Sequence, residues 1–378
     1  MFYIQYSVGK AFICLLFFLV MLIIARPYCT YRYPQSNNVR KGVLFFFLLY
    51  TLNSVFAFWS ADTYHSWDGF VTAGQYTSFE VLGYEQVYNW LATISGNNYF
   101  LWRALIWIPA CLFLFISAKK LDLLNRNFLL AMILFAGLQA YTRGMLGHTM
   151  LLFGAILLVD ERSNKWERFV GIVLFCTSYF FHKSMYVNIA FALLAFYPFG
   201  KKSIIASFVA FPFLTVAATI LVDNIASGVL DMSLGDGVGG VGDRTEAYVS
   251  GERKVANSLG VISNFITFLP EYLAVFYLIK KIMYDKIFKG IRQEKVYTYL
   301  FRLSYVAIYI ASLFFFVETS SWIYSRFKYM AFFPLPFVLA KVWSLELNTN
   351  KWVKAIIVLQ LLSLVLYWVS KFHNWNEL

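Results

Sequence analysis

Long apolar runs separated by short polar clusters set the plan of this chain. A run of about 20 apolar residues crosses the hydrocarbon core as a helix. Lipid offers no partner to an open backbone, so each crossing segment must satisfy its own peptide groups. On that basis the pattern predicts twelve spans, at 5–25, 42–59, 100–118, 127–142, 144–160, 168–181, 184–199, 203–222, 259–280, 297–318, 322–341 and 352–370. The short pairs around Arg143 and His182 each read as one broken helix or as a tight hairpin. The expected fold class is all-α, a polytopic transmembrane helical bundle over 1–378 as one integral membrane domain. The first run lacks a small-residue cleavage site and reads as a retained anchor.

Composition agrees with this plan. Only 14% of residues are charged and 60% are hydrophobic, whereas a soluble domain carries roughly 25% charged residues. Many of the 26 Tyr and 11 Trp fall at run ends, where interfacial belts place them. The net charge of +12 reads mainly as a topology signal, with no nucleic-acid partner expected. One set of alternate loops, from Arg26–Lys41 to Lys341–Lys354, holds roughly two thirds of the 32 Lys and Arg and is assigned to the cytoplasm. Both termini and the two long loops, 60–99 and 223–258, then lie outside. The cytoplasmic loops are too short for a nucleotide-binding domain, and no GxxxxGK[ST] occurs, which argues against ATP-driven transport by this chain alone. The four cysteines show neither CxxC nor framework spacing, so no disulfide is assigned.

Ionisable groups at membrane depth are costly and point to function. Here they gather at the outer ends of spans. Ser60–Asp68 offers Asp62, Tyr64, His65 and Asp68 within a few residues. Asp62 or His65 is a candidate general base toward a sugar hydroxyl, and a solvated loop anchored by Tyr64 and Trp67 is the alternative. Phe79–Leu91 looks amphipathic, with Leu82, Val87, Trp90 and Leu91 able to rest on the membrane surface. Arg143 stands between two short spans, five residues before His148. Its guanidinium suits forked bonds to phosphate, with a snorkelling anchor as the other reading. His182 and Lys183 sit at a second junction, in Phe180-Phe-His-Lys-Ser184. Arg326 and Lys328 follow Glu318 closely, so an Arg326–Glu318 packing pair competes with a ligand-binding role. The outer loop adds Asp243, Arg244, Arg253 and Lys254. No HExxH, GxSxG or metal-ligand spacing is present, and neither metal nor cofactor is expected. Arg, His and carboxylate on one face suit an anionic leaving group and an activated hydroxyl.

The order of these motifs resembles the EpsG branch of the Wzy-type polysaccharide polymerases, across roughly 60–335. The matching residues are Asp62 with Tyr64, Glu80 with Gly83-Tyr84, Arg143, Phe181-His-Lys-Ser184 and Arg326. The chain departs from the family pattern at Phe58-Trp59, where an Arg often stands, and at Leu82, where a Pro often stands. The resemblance implies glycosyl transfer on the outer face of a bacterial inner membrane. The donor would be a growing glycan on undecaprenyl diphosphate, and the acceptor one lipid-linked repeat unit. The O-antigen, capsular polysaccharide or exopolysaccharide would be the product. It implies His182, Asp62 and His65 as catalytic candidates, Arg143, Arg326 and Lys183 toward the diphosphate, and Tyr64, Glu80, Tyr84 and Arg244 toward the glycan. Membrane lipid and a chain-length regulator are the further partners in view. Competing classes are a lipid-linked oligosaccharide flippase or other transporter, another outer-face transferase such as an O-antigen ligase, and a non-catalytic scaffold. A transporter should show two-fold repeats and midplane charges, and neither is evident.

Overall fold

The computed structural model describes residues 37–56, 86–96, 98–135, 144–181, 185–226, 258–285, 289–314, 327, 330–331, 333–346 and 351–374. Among them the secondary structure is helical, with no strand. In chain order the helices are α1 (Asn37–Phe56), α2 (Gln86–Ile94), α3 (Tyr99–Lys120), α4 (Arg126–Phe135), α5 (Met145–Val159) and α6 (Lys165–Thr177). A 3-10 turn, Ser178–Phe181, follows α6. Then come α7 (Met185–Phe196), α8 (Lys201–Ala226), α9 (Ser258–Leu278), α10 (Lys289–Gln293), α11 (Lys295–Leu313), α12 (Pro334–Glu346) and α13 (Lys351–Asn374). A π-turn, Ile279–Tyr284, extends α9.

Every apolar segment expected from residue 42 onward coincides, in whole or in part, with a helix; the expected span 5–25 lies outside the described residues. Among the described residues, three helical stretches are long and apolar enough to cross a membrane: Tyr99–Lys120, Lys201–Leu221 and Lys295–Leu313. α4, α5 and α7 are apolar but shorter. The amphipathic segment expected at 79–91 is helical from Gln86 in α2. There Ala92 is buried, Leu91 packs against the core and Trp90 is exposed.

The helix boundaries have local causes. Asn98 caps α3 by accepting from the Leu101 N–H at 3.1 Å. α3 ends where Asp122 takes φ 55° and the Leu123 N–H reaches back to Ala118 O at 2.9 Å. A left-handed residue of this kind satisfies the last carbonyls of a helix. Asn164 and Glu167 close a reciprocal capping box at the start of α6.

α5 and α6 form the tightest pair. A Cβ on Gly154 would lie 2.8 Å from Gly171 O, and one on Gly171 would lie 2.9 Å from Gly154 O. Only glycine permits this approach, as at other close crossings in membranes. The core between the helices mixes aliphatic side chains with aromatic pairs. Tyr50 meets Trp107 edge-on, and Phe128 of α4 packs on Phe337 of α12.

The charged loops assigned to one side of the membrane meet at one end of the bundle. Lys120 at the end of α3 pairs with Glu167 of α6 at 2.7 Å. Arg162 reaches Asp122 at 2.8 Å and Asp160 at 3.1 Å. Lys295 of α11 pairs with Glu161 at 2.7 Å, and Lys341 of α12 with Glu294 at 2.8 Å. Tyr297 donates to Leu121 O at 3.0 Å beneath this layer. Hydrogen bonding to the Lys120 ammonium first, and to the Asn164 backbone N–H second, holds the Glu167 carboxyl below its ordinary range. A lowered folded-state value stabilises the fold above the unfolded carboxylate pKa of about 4.3, and that contribution disappears as pH falls through the lowered value. The thermal midpoint of the purified protein should therefore fall on acidification below that range. Glu167→Gln should lower the midpoint near neutrality and flatten part of the acid decline.

Candidate functional site

The residues singled out from the sequence, Asp62, Tyr64, His65, Glu80, Tyr84, Arg143, His182, Lys183, Arg244 and Arg326, lie outside the described residues. What the structure places are the helix ends that flank them. Helices α3 and α5 meet the charged loops with their C-termini, so their N-termini, and the ends packed beside them, face the opposite end of the bundle. That opposite end carries Phe56, Gly144, Phe181, Met185, Phe314 and Phe327.

Three of these flanks pack along α7, from Met185 to Phe191. Gly144, next in chain to Arg143, accepts from the His148 ring at 2.6 Å through Nδ1. The other ring nitrogen, Nε2, lies 2.8 Å from Nδ2 of Asn188 in α7. Met185, the first residue of α7 and two past Lys183, packs over Gly147, where a Cβ would come within 3.1 Å of its sulfur. Phe327, adjacent to Arg326, packs on Phe191 of α7, ring centroids 5.4 Å apart and nearly perpendicular. It makes a similar contact with Phe314 at 5.4 Å. Phe333 lies 6.2 Å from the His148 ring. The 3-10 turn that leads to His182 packs between α5, α7 and α2.

A fourth flank is held separately. Arg103 of α3 is fully buried. Its Nε donates to Ser54 O at 3.1 Å, Nη2 donates to the same carbonyl, and Nη1 donates to the Tyr99 hydroxyl at 3.0 Å. No carboxylate among the described residues pairs with it. Ser54 lies in the last turn of α1, where unsatisfied carbonyls carry partial negative charge. The guanidinium thus completes the helix that leads toward Asp62. Nothing in the sequence pattern singles out Arg103. Sequence reasoning also passed over Asn188, a polar residue inside the apolar run Met185–Phe196.

Beyond this cluster, a cavity of about 340 Å³ opens between α8, α9 and α11. Its walls are apolar and aromatic, including Phe208, Tyr272, Phe276 and Tyr305. The tyrosine hydroxyls are occupied: Ser312 donates to Tyr272 at 3.0 Å, and Tyr305 bonds with Ser207. Phe208 and Phe276 stack and are exposed on the outer surface of the helices. Among the described residues no group of His, Cys, Asp and Glu is placed to hold a metal ion.

The family model described as EpsG family matches residues 43–378. No curated protein and no solved structure matches the chain.

Proposed function

The chain belongs to the EpsG family, and on that premise we propose that it polymerises undecaprenyl-diphosphate-linked oligosaccharide repeats into surface polysaccharide on the outer face of the bacterial inner membrane. The observation that carries this reading is the family match over a helical membrane protein in which flanks of the motifs pack along α7.

The reaction is a displacement at the anomeric carbon of the donor glycan. A base takes the proton of the acceptor hydroxyl, and the oxygen forms the new bond to that carbon. The bond from that carbon to the diphosphate breaks, and the lipid diphosphate leaves with the electron pair. His182 is assigned as the base, with Asp62 and His65 as its alternatives. Arg143, Arg326 and Lys183 are assigned to the diphosphate, where fixed cations stabilise developing negative charge without a metal. Tyr64, Glu80, Tyr84 and Arg244 are assigned to the sugars, on the loops 60–99 and 223–258 taken as extracytoplasmic. The apolar cleft between α8, α9 and α11 suits a polyprenyl chain.

Deleting the gene in its host and resolving the surface glycans by size tests the reading. Acceptor capped with single repeat units is the expected result, because export and ligation continue while polymerisation stops. Complete loss of capping would instead assign the chain to ligation or flipping. Unchanged chain lengths would remove it from this pathway.

A further inference from the structure

We infer that His148 and Asn188 form a latch that fixes Gly144, the residue after Arg143, against α7, the helix that follows Ser184, so that these two helix starts are positioned as one unit. This rests on the polymerase reading above for what the two segments do, but the latch itself is a matter of geometry.

The Gly144 carbonyl accepts twice from the same residue, from the His148 backbone N–H at 2.9 Å and from Nδ1 at 2.6 Å. The second bond requires the proton on Nδ1. Nε2 then carries a lone pair, and it faces the Asn188 amide nitrogen at 2.8 Å, which donates. One tautomer satisfies both contacts. The imidazole therefore joins the Gly144 carbonyl, at the start of α5, to α7, which begins directly after Ser184. Asn188 stands one helical turn into α7 and is 1% exposed; His148 is 2% exposed. Two polar side chains at such depth carry a desolvation cost that an apolar pair would avoid. Apolar side chains would fill the space equally well, but they would not set direction. Hydrogen bonds at both ring nitrogens define the orientation of Gly144 relative to α7, and a reacting centre is sensitive to errors of about 1 Å.

Two amide substitutions divide the latch. His148→Asn retains a donor near the Nδ1 position and loses the Asn188 contact. His148→Gln retains a group near Nε2 and loses the Gly144 contact. Both amides are close in size to imidazole, so folding is preserved better than with alanine. Spin labels at Thr142 and Tyr186, in a cysteine-free background, report the separation of the two segments. Turnover of a defined lipid-linked repeat by purified protein reports the function.

Both half-latch variants should broaden the interspin distance distribution. Both should also lower kcat at least tenfold while KM changes less than twofold. Adding Asn188→Ala to His148→Asn should cause no further loss, because the contact is already absent. A destabilised but correctly positioned site would lose active protein without changing kcat per folded molecule. A distribution as narrow as wild type in both variants overturns the latch, as does wild-type kcat in either one. Broadening in a protein whose wild type never joins lipid-linked repeats would support the latch and overturn the polymerase reading.

Discussion

Arg143→Ala and Arg326→Ala should each abolish detectable polymer while leaving the protein in the membrane at its normal amount. In the proposed reaction the leaving diphosphate gains negative charge as its bond to the sugar breaks, and a preorganised donor lost at such a point costs about 10²–10³ in rate. Lysine at either position keeps the charge but loses the planar fork that matches phosphate oxygens. Arg143→Lys and Arg326→Lys should therefore still fall by about tenfold or more. The chain neighbours of these residues, Gly144 and Phe327, are tied to the same short helix, through His148–Asn188 and through Phe191. That shared anchorage is why the two arginines are expected to act on one anion. Rates measured on purified protein with a lipid-linked repeat decide the matter. If both lysine variants build polymer of normal length at the normal rate, forked phosphate binding is wrong.

His182→Ala should leave substrate bound and chemistry stalled. General-base assistance is worth about 10²–10⁴ in rate, so lipid-linked repeat should accumulate on a protein that retains wild-type affinity. His182→Gln separates hydrogen bonding from basicity, because an amide can orient the acceptor hydroxyl but cannot take its proton. It should match His182→Ala in kcat and wild type in KM. Wild-type turnover by purified His182→Ala would make this histidine structural and pass the role to Asp62 or His65.

The helices were largely legible in the sequence because the bilayer makes a simple demand. An apolar stretch such as Leu101–Ala118 has few alternatives to a helix once water is excluded. The grouping of loops by charge was legible for the same reason. Lys120, Arg162, Lys295 and Lys341, assigned to one side by the Lys and Arg count of alternate loops, engage carboxylates at one end of the bundle. Interactions between distant residues were not legible. Arg103 has no motif around it, and its partner is a backbone carbonyl of Ser54, 49 positions earlier in the chain. A carbonyl has no sequence signature. Asn188 sits 40 positions from His148, and neither residue announces the other. Helix ends were harder to place than the helices themselves. The stretch expected at 168–181 leaves the α-helix after Thr177 and tightens into a 3-10 turn, a change that apolar periodicity does not register.

The length of α5 bears on what surrounds its Gly144 end. It runs 15 residues, bounded by Gly144 at one end and Asp160 at the other. At a rise of 1.5 Å per residue that is about 22 Å, against a hydrocarbon core of about 30 Å. None of its side chains is exposed, because α3, α6, α7 and α11 pack around it. Lipid therefore does not touch its flanks, and bilayer thickness does not set its length. With Asp160 in the ion-paired layer, α5 stops short of the far end inside a sheath of protein. A charged ligand brought to that end would be solvated by protein groups, and its hold there would be insensitive to the acyl-chain length of the surrounding lipid.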